Sequence, residues 1–294
     1  MSDAVAVTQT QLEGLSLLNR GKVRDLYDLG DHLLIVTTDR VSAFDVILPT
    51  PIPGKGAILT AMSEFWFGLL RDIVPHHLVS TDVEAMGPLV APHREVLRGR
   101  SMMVRKAQPI PAECVVRGFI TGSGWKDYLA SGEICGIPIR AGMQQAQPFD
   151  EVLFTPATKA ETGHDENIDF ETFSELVGAD IADRLRSLSV RIYEAGRDHA
   201  RARGIILADT KFEFGIVDAG ITLIDEVLTP DSSRLWDVEE YGVGISPPSF
   251  DKQIVRDWVK DSGWDGEPPA PALPDDVVAR TASRYQEALE RLTA

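Results

Sequence analysis

The sequence predicts an α/β chain with α+β character, built as one large domain or two closely joined lobes. Three observations point there. Short apolar and alternating runs, set off by Gly, Pro and Asn, fill the first third and read as strands joined by tight turns. Sustained three- and four-residue apolar spacing appears over 170–203 and again at the end of the chain, as amphipathic helices require. At 294 residues the chain can bury a sizeable core.

Taken in order, residues 22–28 (KVRDLYD), the Gly30-Asp31 turn and HLLIVTTD form a β-hairpin, with Asn19-Arg20-Gly21 as a glycine-led loop before it. PTPIPGKGAI at 49–58 is a loop, and TAMSEFWFGLLR at 60–71 is a helix capped by Thr60 with Glu64 nearby. Residues 76–100 read as strands and turns. A short strand at 102–105 is stopped by Pro109 and Pro111. A second strand, CVVRGFI at 114–120, runs into a small-residue turn and a short helix. Residues 142–169 are expected to be one long polar loop, and loops of that length are often functional. Leu176, Val177, Ile181, Leu185, Leu188, Ile192 and Tyr193 mark two helices parted near Gly178. The strand LADTKFEFG (207–215) and its partner ITLIDE follow. A helix around 250–260, the linker GEPPAPALP and a last helix with Val278, Ala282, Tyr285, Leu289 and Leu292 inward complete the chain.

Composition excludes several functions. The net charge of −16 repels nucleic acid and anionic membranes, so neither is an expected partner. No run of 18 apolar residues predicts a membrane span, and MSDAVAVTQTQLEG lacks the basic and apolar blocks of a secretory signal. Cys114 and Cys135 lack metal-ligand spacing and fit a reduced compartment, which predicts a cytoplasmic protein. The six histidines show no HExxH or similar pattern.

LADTKFEFG carries Asp209, Lys211 and Glu213 at alternate positions, with Phe212 and Phe214 on the other face. A three-residue loop at Asp218-Ala219-Gly220 sets Val217 opposite Ile221 and Glu213 opposite Asp225; a two-residue loop is expected to pair Glu213 with Glu226. Either way two carboxylates meet, and like charges in directly opposed positions are destabilising. A cation between them resolves this, either Lys211 or a hard divalent ion such as Mg²⁺. A solvated face with a Lys–Glu pair is the alternative. Beyond Asp225, TPDSSRLW adds Ser232, Ser233 and the planar fork of Arg234, and a metal site beside an anion clamp suggests phosphoryl chemistry.

Three further segments offer anion contacts, and each has a purely structural alternative. Gly21-Lys22-Val23-Arg24 places two cations on one face of a strand after a glycine, or is simply a strand start. Arg117, Gly118 and the Thr121-Gly122-Ser123-Gly124 run lead into a helix N-terminus that favours anions, with Ser123 as its cap, or form a plain glycine-rich turn. The polar residues of 155–167, including Lys159 and His164, and the 39–45 segment ending in Asp45 are either site loops or solvated corners.

Read together, GKVRDLYD, TTDRVSAFD, PIPGKGAILTAMSEFWF, PAECVVRGFITGSGWKDY, FTPATKAETGHDENIDF, LADTKFEFG, LIDEVLTPDSSRLW and SFDKQIVRDW resemble the SAICAR synthetase family of purine biosynthesis. The resemblance runs in order over residues 14–292. It implies a two-lobed fold with a nucleotide lobe similar to kinases and ATP-grasp enzymes, and ATP in the cleft between lobes. Residues 1–110 would be the β-rich nucleotide lobe and 111–294 the larger lobe. It implies an ATP-dependent ligase that joins L-aspartate to the carboxylate of the ribotide CAIR, giving SAICAR, ADP and phosphate, with ATP and Mg²⁺ as cofactors. By the same resemblance Glu213 and Asp225 hold Mg²⁺, and Lys211 bridges the transferring phosphate or the CAIR carboxylate. Lys22, Val23 and Arg24 lie over the ATP phosphates, and Lys106, Ala107 and Gln108 contact adenine. Arg117, Ser123 and Arg234 clamp the ribotide phosphate, while Asp45 and Lys159 orient CAIR or aspartate. A small-molecule kinase acting on a phosphorylated substrate is the alternative.

Overall fold

The structure, a computed structural model, describes residues 6–159 and 166–294. The chain opens with β1 (Ser16–Arg20), β2 (Arg24–Leu29) and β3 (His32–Thr37), each antiparallel to the next. Asn19 and Arg20 therefore belong to a strand and not to the expected loop. All five β1 residues are exposed, so no apolar alternation marks it. The small hairpin of β4 (Ser42–Ala43) and β5 (Val46–Ile47) turns on Phe44 and Asp45, both with positive φ.

The first helix, α1 (Lys55–Leu70), starts earlier than expected. Gly54 at φ 80° provides its entry, and the Thr60 hydroxyl donates back to the Gly56 carbonyl at 3.0 Å instead of capping. Residues 76–100 hold one strand, β6 (Leu78–Ser80), followed by short helical turns at Val83–Ala85 and Ala91–His93 and by α2 (Arg94–Leu97). Asp82 starts the first of these by accepting the Glu84 N–H, and Pro92 favours the second. With β7 (Ser101–Arg105) these strands make a sheet of order β1-β2-β3-β7-β6 among the described residues.

A second antiparallel sheet takes over after residue 107. It comprises β8 (Gln108–Pro109) and β9 (Ala112–Phe119); then, past α3 (Gly122–Ser131) and the β10 (Glu133–Ile134) and β11 (Ile137–Pro138) hairpin, β12 (Pro148–Phe154) and β13 (Ala157–Thr158). The long loop expected at 142–169 is thus broken by two strands. Their pairing with β9 shifts register between Pro148 and Leu153, which hides the two-residue period. The helices α4 (Phe170–Val177) and α5 (Ala179–Arg201) part at Gly178 as expected. Next come β14 (Ile205–Val217), β15 (Gly220–Ile224) and β16 (Ser233–Asp237), and then α6 (Gln253–Asp261) and α7 (Asp275–Thr293).

The thirteen-residue β14 is the axis of this sheet. It pairs with β9 on one side and with β16 and then β15 along the other. A single core joins the two sheets: Met62, Trp66 and Phe67 of α1 pack with Met102 and Val104 of β7, Phe212 and Phe214 of β14, and Tyr285 of α7. Burying each such large side chain contributes roughly 1.5–3 kcal/mol, so this shared core ties the two sheets together. Among the described residues no helix is long and apolar enough to cross a membrane.

Candidate active site

The polar face of β14 organises the site. Phe212 and Phe214 are buried in the core, so alternation turns Asp209, Lys211 and Glu213 the other way. Asp209 lies across from Arg117 of β9 and Arg234 of β16. Arg117 Nη1 donates to Asp209 Oδ2 at 3.0 Å, and Arg234 Nη1 donates to the same oxygen. Arg117 also donates to Thr155 Oγ1 at 2.9 Å and Ser123 Oγ at 2.8 Å. Burial pulls the Arg117 guanidinium down from its ordinary range, and Asp209 opposes that shift. Asp209, which has no role in the sequence reading, aims two arginines.

Ser123 is not the cap of α3. Thr121 occupies that position without a side-chain bond, and Ser123 accepts from Arg117 in the first turn. Gly122 has φ 58°, and a Cβ there would lie 2.4 Å from Arg234 Nη2. The guanidinium therefore lies against the start of α3, where unpaired N–H groups add to its attraction for anions.

The hairpin after β14 departs from both expected registers. Asp218 and Ala219, at φ 47° and 64°, form a two-residue turn in which Val217 pairs with Gly220 and Glu213 with Ile224. Asp225 lies one residue past the pair and is itself at φ 62°. The two carboxylates still feel each other. Burial pushes the Asp225 carboxyl up, Arg24 opposes this, and Glu213 adds to it.

Nor is Lys211 the cation between them. It pairs with Glu113 of β9, Lys159 pairs with Glu213, and Arg24 Nη1 reaches Asp225 Oδ2 at 3.1 Å while its Nη2 reaches Glu226 at 2.7 Å. Among the described residues no three His, Cys, Asp or Glu side chains gather into a metal site. Two oxygen donors with mutual repulsion, Glu213 and Asp225, suit a hard cation whose other ligands are phosphate oxygens and water.

The segments expected to contact nucleotide are the turn before β2 and the crossing between sheets. Lys22 and Val23 lie in the turn, so Lys22 does not share a strand face with Arg24. Lys22 pairs with Asp45, and the Val23 carbonyl accepts the Thr38 N–H at 2.9 Å. Arg24 opens β2 and reaches toward Asp225 and Glu226, so it braces the two carboxylates. Burial works against its charge, and the two acids outweigh that effect. Lys106, Ala107 and Gln108 carry the chain from the first sheet to the second, with Lys106 bonded to Asp28 at 2.7 Å. Gly215 admits this crossing: a Cβ there would lie 2.9 Å from that of Ala107.

A cavity of about 310 Å³ lies over the β14 face, and Arg117, Ser123, Lys211 and Arg234 all line it. Sequence reasoning missed Glu113, Asp231, Lys252 and Arg256, which line it too. Lys252 and Arg256, four apart in FDKQIVRDW, were the legible signal. Of the other predicted residues, His164 lies outside the described residues, as do Ala160 to Asp165 generally.

A family profile described as SAICAR synthetase matches residues 17–271. The phosphoribosylaminoimidazole-succinocarboxamide synthase of Syntrophobacter fumaroxidans is 55% identical over 288 residues, covering 98% of this chain and 96% of that protein. Its counterpart from Syntrophotalea carbinolica is also 55% identical, covering 98% and 97%. Among solved structures, the SAICAR synthase of Saccharomyces cerevisiae in complex with SAICAR superposes with a TM-score of 0.91 at 44% identity, covering 98% of both chains.

Proposed function

Because the chain belongs to the SAICAR synthetase family, it is an ATP-using ligase that joins L-aspartate to the carboxylate of CAIR in purine biosynthesis, and we propose that the β14 face and its cavity carry out this reaction. The observation that carries the assignment is one strand bearing, in order, Asp209 with its two partner arginines from β9 and β16, Lys211 and Glu213. Four residues of strand separate Asp209 from Glu213 by about 13 Å, so a phosphate held at one end leaves the far end of the ribotide near the carboxylates.

A carboxylate resists amine attack, because its charge repels the nucleophile and oxide is a poor leaving group. In the proposed sequence a CAIR carboxylate oxygen attacks the γ-phosphorus and the bond to ADP breaks. The aspartate amine then attacks the acyl carbon, phosphate leaves with the oxygen, and the amine gives up a proton. Phosphoryl transfer depends mainly on positioning and charge neutralisation. Arg117, Ser123 and Arg234 hold the ribotide phosphate, and Lys252 and Arg256 add positive charge to the same cavity. Lys211 neutralises the CAIR carboxylate and the phosphoryl group moving onto it. Glu213 and Asp225 hold Mg²⁺, which supplies charge neutralisation at the ATP phosphates. Lys22, Val23 and Arg24 cover the phosphates, residues 106–108 contact adenine, and Asp45 and Lys159 orient the substrates. The proposed lobe boundary is at residues 110/111, and the proposed compartment is the cytoplasm, where the two free thiols stay reduced.

The test is coupled turnover with ATP, Mg²⁺, CAIR and aspartate, omitting each in turn. ADP release should require all four. Release with CAIR alone, independent of aspartate, would mark a kinase and overturn amide formation.

A further inference from the structure

Lys55 is the first residue of α1 and is fully buried. A lysine is doubly disfavoured there, because burial penalises its charge and the positive end of a helix repels it. Its ammonium donates to Asp231 Oδ2 at 2.7 Å. From the other end of the chain, the buried Tyr285 hydroxyl of α7 donates to Asp231 Oδ1 at 2.7 Å. Asp231 lines the substrate cavity, whereas Lys55 and Tyr285 lie behind its wall. The Lys55 ammonium is also 5.8 Å from the centre of the Tyr285 ring, so the three groups form one buried unit.

Asp231 sits within the segment 225–234, whose ends carry Asp225 and Arg234. Its own N–H donates to Thr229 Oγ1 at 3.2 Å, and Thr229 bonds to Glu226, which holds Arg24. Burial works against charge on Asp231, but Lys252 on the cavity side and Lys55 behind it outweigh that effect and hold the carboxyl well below its usual range. An apolar pair of similar volume would pack this spot at least as well as a buried ion pair. It would not keep Asp231 ionised and aimed.

We propose that Lys55 and Tyr285 are positioning residues for the ligase reaction, acting through Asp231 to lock the 229–234 segment and the facing Lys252 in the arrangement that receives the ribotide. This rests on the reading that the cavity is the ribotide site. Neither residue touches substrate. Their effect belongs to CAIR recognition, because Asp231 and Lys252 line the cavity while Asp225 is held separately by Arg24.

The full-length chain tests this with Tyr285→Phe, Lys55→Met, Asp231→Asn and the Tyr285→Phe/Asp231→Asn double variant, reading kcat, KM for CAIR, KM for ATP and the thermal midpoint. Tyr285→Phe removes one oxygen and should fold even where Lys55→Met does not. It should raise KM for CAIR about tenfold, the scale of one hydrogen bond to a charged group, with KM for ATP unchanged within about twofold. The double variant should be no worse than Asp231→Asn alone, because both act on one path. A lowered midpoint with unchanged KM for CAIR in Tyr285→Phe, while Asp231→Asn is impaired, overturns the positioning role alone. Multiplying losses in the double variant overturn the path through Asp231. An unimpaired Asp231→Asn overturns the cavity reading itself, and the inference with it.

Discussion

Replacing Asp209 with Asn tests the centre of the site. The side chain keeps its shape but loses the charge that faces two guanidinium groups, one of them fully buried. Breaking a buried ion pair costs about 3–5 kcal/mol. The remaining amide oxygen still accepts one N–H, so the low end, about 3 kcal/mol, applies. Unfolding entropy near 2.1 cal/mol/K per residue gives about 0.6 kcal/mol/K for this chain, so the midpoint should fall by about 5 °C.

The functional effect is separable from that loss. Arg117 and Arg234 would no longer be held against each other's charge, and one charge-assisted contact to the ribotide phosphate should fail. That raises KM for CAIR by about 10- to 100-fold, since such contacts are worth about 1.5–3 kcal/mol, while KM for ATP stays near its starting value. Steady-state kinetics varying CAIR and ATP separately, with a calorimetric midpoint, measures both. A midpoint within about 1 °C of the parent and an unchanged KM for CAIR would refute the reasoning. The arginines would then be held by Thr155, Ser123 and the strands alone.

Three further outcomes follow from the geometry. Gly122→Ala drives a methyl to within 2.4 Å of Arg234 Nη2 at a position with φ 58°, so KM for CAIR should rise about tenfold, with a stability loss of about 1–2 kcal/mol for the left-handed backbone; unchanged kinetics would show that Arg234 does not work from that place. Asp225→Asn should lower turnover about 100-fold or more and weaken Mn²⁺ binding to the protein–ATP complex as read by electron paramagnetic resonance; unaltered Mn²⁺ binding removes Asp225 from the metal site. Burial pushes the thiols of Cys114 and Cys135 up to about 12 and about 11, so at pH 8 about one Cys135 in a thousand is thiolate. Iodoacetamide should therefore label the native chain at least about 100-fold more slowly than the urea-unfolded chain, with a rate rising about tenfold per pH unit, and fast labelling at pH 8 would contradict the burial.

How much of this is legible in the sequence depends on distance along the chain. The charged and aromatic faces of β14 are legible because alternation is local and Phe212 and Phe214 leave one choice of inner face. The partners of those charges are not. Arg24 and Asp225 are 201 residues apart, and no spacing rule connects β2 to the end of β15. Lys252 and Arg256 share one helix face by their four-residue spacing, but FDKQIVRDW alone does not say that this face meets a cavity on another element.

The hairpin shows how two carboxylates can interact although neither expected register forms. Gly220 reads as the left-handed residue of a three-residue loop, but Asp218 and Ala219 take both left-handed positions and Gly220 is already in β15. A shift of one residue turns each side chain to the other face, and with Ile224 opposite Glu213 the carboxylate of Asp225 should point away. It does not, because the strand ends at Ile224 and Asp225 adopts φ 62°, a conformation Asp tolerates better than most residues. That backbone is disfavoured, and it leaves a carboxyl repelled by Glu213 and braced by Arg24. Strain of this kind persists where surrounding contacts impose it. Here those contacts are the Arg24 fork on Asp225 and Glu226, so the geometry of the proposed metal ligands is set from both sheets and not by the hairpin alone.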